Sequence, residues 1–134
     1  MPNGLYAAGR QRFLSADLDW DGQDVRVILV DSADYTQSLS THDFLDDVAA
    51  GGRVAVSGAL TSKSVTGGTA DAADVTWTSV TGDQSEQVVC YQHTGTDSTS
   101  ALVFGMDTFA SGMPVTPNGG NINLTWNASG IFVL

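Results

Sequence analysis

Basic residues are scarce in this chain of 134 residues: Lys63 and four arginines stand against 15 acidic side chains, for a formal net charge of −10. Such a surface repels phosphate backbones and anionic lipid alike, so neither nucleic acid nor a membrane is expected as a partner. Cysteine is almost absent. Cys90 stands alone and so cannot form an internal disulfide. Its neighbours in Val88-Val89-Cys90-Tyr91 are apolar, which predicts a small core residue rather than a nucleophile, since reactive thiols need an electropositive, accessible niche. Glutamate occurs once, as Glu86. A glycosidase pair needs one acid held protonated in an apolar pocket, and the other acids here cluster in loops. No apolar stretch approaches the length of a bilayer span. No basic segment followed by an apolar one opens the sequence, so synthesis in the cytosol is expected.

What is present is apolar and patterned. Hydrophobic residues make up 42% of the chain, enough for a real core and against disorder. The length suits one domain spanning residues 1–134. Residues 4–15 are helix-compatible, with Asn3 as N-cap and Leu5, Ala8, Gly9, Arg12 and Phe13 at helical spacing. Val25-Arg26-Val27-Ile28-Leu29-Val30 is the strongest strand and reads as covered on both faces, one of them by that helix. Ser40-Thr41-His42-Asp43 resembles a capping box before Phe44-Leu45-Asp46-Asp47-Val48, predicting a short helix that stops at Gly51-Gly52.

From Gly52 onward the period is two. Val54 and Val56, Val75 and Trp77, Val88 and Cys90, Leu102, Phe104 and Met106, and Ile122, Leu124 and Trp126 each mark a strand. Residues 131–134 supply a last short one. Turn signals separate them at Gly67-Gly68, Thr81-Gly82-Asp83, Gly95, Gly112-Met113-Pro114 and Pro117-Asn118-Gly119-Gly120. The fold class that follows is mainly β: an antiparallel sandwich or barrel of about seven or eight strands, with one or two short helices near the N-terminus.

Motifs that could carry chemistry fall short. Asp17, Asp19, Asp21 and Gly22 match the opening of a calcium loop, but its twelfth position, where a bidentate Glu is required, is Ile28 inside a strand. An acidic surface turn is the plainer reading, and no metal or other cofactor is expected. His42 and His93 lie in unrelated motifs, and Cys90 with His93 makes a thin metal pair. No G-x-S-x-G elbow exposes a serine. No catalytic residue is therefore nominated, and the chain is not expected to be an enzyme. Trp77 and Trp126 are in phase with apolar neighbours and belong in a core. Trp20, among aspartates, is the tryptophan expected at a contact surface.

Several runs resemble a family of small proteins encoded among the structural genes of tailed bacteriophages and prophages. They are Val30-Asp31-Ser32-Ala33-Asp34-Tyr35-Thr36, His42-Asp43-Phe44-Leu45-Asp46-Asp47, Gly52-Arg53-Val54-Ala55 and Leu60-Thr61-Ser62-Lys63-Ser64-Val65-Thr66. Further along come Ala72-Ala73-Asp74-Val75-Thr76-Trp77, Gly82-Asp83-Gln84-Ser85-Glu86 and Pro114-Val115-Thr116-Pro117-Asn118-Gly119-Gly120, the last being the most specific. The residues from Trp126 to the end belong with them. The chain departs from the family pattern in its single lysine and in Thr76-Trp77 where Thr-Phe is common. The resemblance implies a virion structural protein and brings no catalytic residues.

Within that implication the first expectation is a capsid decoration, or cement, protein bound to the major capsid protein on the head. Self-association is expected too, a trimer being one form. A neck, tail or head-fibre-base protein is the alternative. A carbohydrate-binding module is the rival of a different class, and Trp20 with Tyr35 is all that the sequence offers it. The segments expected to make contacts are 1–14 and 131–134. The named candidates are Leu5, Tyr6, Trp20, Tyr35, Ile131, Phe132, Val133 and Leu134, the last four because a free chain would expose them at some cost.

Overall fold

The strongest predicted strand, β2 (Val25–Val30), forms as expected and sits inside a sheet. The computed structural model describes residues 4–106 and 114–134. Around β2 are β1 (Gly4–Leu5), β3 (Arg53–Val56), β7 (Gln87–Gln92) and β8 (Leu102–Met106), in the order β1-β8-β7-β2-β3 with every neighbour antiparallel. A second layer holds two smaller sheets. One is β10-β5-β4, from β4 (Ser64–Thr66), β5 (Thr69–Asp71) and β10 (Phe132–Val133). The other pairs β6 (Val75–Trp77) with β9 (Ile122–Leu124). The sheets are open, so of the two predicted architectures the molecule takes the sandwich and not the barrel.

Register divides the side chains of the large sheet. Val27 pairs with Cys90 and Cys90 with Phe104, so these three share one face; Ile28, Val89 and Gly105 share the other. The first face packs on the second layer. Val27, Leu29, Val88 and Cys90 join Ala70, Trp77, Leu124, Trp126 and Phe132 in one buried cluster. Trp77 and Trp126 are thus core residues, as their phase predicted.

The opposite face is buried too, by chain that forms no sheet. Ile28, Val30, Val89, Tyr91 and Leu102 pack with Tyr6, Tyr35, Leu45 and Val48, and Leu39 closes the margin. Segment 31–52 supplies most of this cover. It lies close because the paired Gly4 and Gly105 leave it room. A Cβ on Gly4 would stand 2.6 Å from Leu39 Cδ1, and one on Gly105 2.4 Å from Gln37 Oε1. Polar clasps hold the segment down. The Tyr6 and Tyr35 hydroxyls share a hydrogen bond of 2.7 Å, and the Tyr35 hydroxyl lies 3.0 Å from His42 Nδ1. Arg53 donates to the carbonyls of Val48 and Leu45 and pairs with Asp97 at 2.8 Å.

Three expectations are corrected. The N-terminal helix is α1 (Ala7–Leu14), shorter than predicted, because Gly4 and Leu5 pair with β8 and Tyr6 is pinned in the core. Asn3, its expected cap, lies outside the described residues. Secondly, α1 lies on β8 rather than over β2: Gly9 approaches so closely that a Cβ would stand 2.9 Å from the Val103 backbone. Thirdly, the helix expected after Asp43 is two single 3-10 turns, Leu45–Asp47 and Ala50–Gly52. The capping carboxylate is Asp47 rather than Asp43, and it accepts the N–H groups of Asp43 and Phe44. The sequence reading also missed β1 and the hairpin β4–β5. Its Gly67-Gly68 turn is real, both glycines having positive φ (59° and 80°) as a tight hairpin requires.

Candidate interaction surface

Two strand pairings set up the surface. Val65 pairs with Ala70, and Ala70 with Phe132, so the three form a row on one face of the β10-β5-β4 sheet. That face looks toward the core. Ala70 and Phe132 are buried by it, but the row runs past the edge of the layer beneath, and Val65 on the outer strand is 54% exposed. Leu134, two residues beyond Phe132, returns to the same side and is 60% exposed.

The uncovered end of the row is a depression of about 230 Å³, lined chiefly by Phe13, Leu18, Trp20, Val65, Phe132 and Leu134. Its floor is rigid. The Phe132 ring is stacked on Phe104 at 5.1 Å, met edge-on by Trp20 at 5.2 Å and flanked by Phe13 at 6.0 Å. The Trp20 indole N–H donates to the Asp71 carbonyl at 3.0 Å, leaving its ring to the apolar side. Leu14, next to Phe13 at the end of α1, is 88% exposed.

The loop that provides Leu18 and Trp20 also sets Asp19 in the lining. In Asp17-Leu18-Asp19-Trp20-Asp21 the apolar residues are buried and the three aspartates exposed. Gln23 ties the loop, its side-chain oxygen accepting from the Asp19 N–H, and Lys63 Nζ donates to the Gln23 carbonyl.

The eight nominated contact residues therefore separate. Tyr6, Tyr35 and Ile131 are buried in the chain's own fold and are corrected to core residues, while Trp20 and Phe132, also buried, form part of the lining of the depression. Trp20 is only 3% exposed because its ring covers Phe132; amphipathic side chains such as this carry no sequence mark of which end meets solvent. Leu5 is half-buried in β1. Val133 and Leu134 are exposed, on opposite faces of their strand, so only Leu134 lines the depression. Phe13 falls in the expected contact segment 1–14, and the members that sequence reasoning missed are Leu18 and Val65. The alternation through Leu18 and Trp20 was a usable signal for one of them.

Other candidate groups stand apart. Asp17, Asp19 and Asp21 do not converge; among the described residues the carboxylates that approach within 4.8 Å of one another are Asp31, Asp34 and Asp83. Asp31 is buried, and its carboxylate accepts the Ala33 N–H at 2.9 Å, closing the turn after β2. Glu86 accepts the Ser32 N–H. Burial pushes the Cys90 thiol up to about 12. Burial, then the bond to Tyr35, raises the Tyr6 hydroxyl, and burial raises Tyr35 and Tyr91. Neither histidine lies with Cys90: His42 faces Tyr35, and His93 faces the Tyr91 ring. No family model matches the chain, and no curated protein matches it.

Proposed function

We propose that this chain is a structural protein of a tailed-phage particle, a capsid decoration protein that docks on the assembled head. The resemblance of its sequence runs supplies the particle. The observation that supports docking is the row Val65–Ala70–Phe132, continued by Leu134, which a fold of this size leaves half uncovered. Solvent-facing apolar rows on a stiff floor suit contact with another protein. A neck or tail position would use the same surface. The sugar-binding reading has less support, because Tyr35 is buried and Trp20, though it lines the depression, is only 3% exposed.

The test is a count. Purified particles from the strain that encodes the chain are run on a mass-calibrated gel against the major capsid protein. Copies on the scale of that protein support decoration. A few to a few tens per particle point to the neck, tail or fibre base. Absence from particles overturns the virion reading.

A further inference from the structure

We infer that the depression beside β10 takes a short apolar segment flanked by lysine or arginine, supplied by a different protein. This rests on the docking reading and adds the chemistry of the partner. The floor is apolar, and the loop that supplies Leu18 and Trp20 to it also sets the one carboxylate of its lining, Asp19. Alternation through residues 17–21 buries Leu18 and Trp20 and exposes Asp17, Asp19 and Asp21, of which Asp19 lines the depression. An occupant that filled the floor would lie against the Asp19 carboxylate on a chain of net charge −10, where cationic residues are favoured and acidic ones repelled.

A second copy of the chain lacks that chemistry. It carries only five cationic side chains and a net charge of −10. Arg26 is paired with Asp24 and Arg53 with Asp97. Lys63 and Arg10 donate to the carbonyls of Gln23 and Leu5, and Arg12 lies over the Phe44 ring at 5.7 Å. Two such copies would bring net negative charge together around their apolar floors. Charge thus selects a basic partner over self.

The experiment uses the whole ¹⁵N-labelled chain and two synthetic peptides, one alternating leucine with lysine, the other leucine with glutamate. The lysine peptide is expected to give saturable shifts at Val65, Ala70, Leu134 and residues 17–21, and the glutamate peptide none. Raising salt from about 20 to about 300 mM should weaken binding about tenfold, because the acidic charges are exposed. Val65→Asp should abolish the shifts while the spectrum stays dispersed. Asp19→Asn should weaken binding and flatten its salt dependence without touching the floor, and Asp17→Asn should do neither. Shifts spread over the whole acidic surface and retained in Val65→Asp, equal binding of both peptides, or a dimer closing over Val65 and Leu134 would each overturn the inference. Absence from particles would instead sink the docking reading, whatever the peptides do.

Discussion

The β2-β7-β8 region and the β10-β5-β4 sheet both carry apolar rows set by cross-strand pairing, yet only the first is closed. Its strands are covered on one side by the second layer and on the other by segment 31–52, drawn in by Gly4 and Gly105 and clasped by Tyr6, Tyr35 and Arg53. The small sheet covers Ala70 and Phe132 and leaves more than half of Val65 and Leu134 exposed. The same side-chain chemistry therefore serves folding in one place and remains free for contact in the other. What decides between them is whether another segment of chain reaches the row.

The contrast can be broken at its strong side first. Leu29 is fully buried on the face toward the second layer, so Leu29→Ala should cost about 3 kcal/mol in urea unfolding, whereas Leu134→Ala should stay within about 0.5 kcal/mol. Equal losses would erase the distinction. Gly9→Ala comes next. In an exposed helix this change stabilises by about 1 kcal/mol, but here the new methyl meets the Val103 backbone, and a net loss of about 2 kcal/mol is expected. Tyr35→Phe should cost about 1.5 kcal/mol, since it leaves the buried Tyr6 hydroxyl without its partner.

A smaller effect is set by pH. Cys90 and Tyr6, Tyr35 and Tyr91 have ordinary values of 9.0 and 10.0, and all are raised in the fold. The unfolded chain releases these protons first. Stability is therefore full below about pH 9 and falls above it, by at most about 1.4 kcal/mol per pH unit for each group. Cys90→Ala should move the onset of that fall up to about pH 10, read from urea unfolding across the alkaline range. The smallest effect belongs to the open row: Val65→Thr should leave stability within about 0.5 kcal/mol.

Much of the closed region was legible in the sequence. A nearly unbroken apolar run announced β2 as a strand covered on both faces, and alternation placed Trp77 of β6 and Trp126, just past β9, in the core. The cover itself was not legible. Segment 31–52 has no period, and its hold on the sheet comes from two glycines and a few polar clasps far apart in sequence. Strands β4 and β5 offer one apolar residue each, Val65 and Ala70, too few to show alternation. The open surface was read in part. Leu134 was expected at a contact, whereas Trp20 was placed there by the aspartates around it, when the pattern they share sends its ring inward. Phe13 was seen as a helix residue, and only the packing of α1 beside Phe132 brings it to the depression.

The central claim is that the open row of the small sheet is where the molecule meets its partner. Cryo-electron microscopy of purified particles tests it most directly, by showing which face of the chain lies against its neighbour. The account predicts Val65, Leu134 and the loop of residues 17–21 in that contact, with a basic stretch of the neighbour opposite Asp19. A chain that docks by another face, with Val65 and Leu134 bare to solvent, would contradict it.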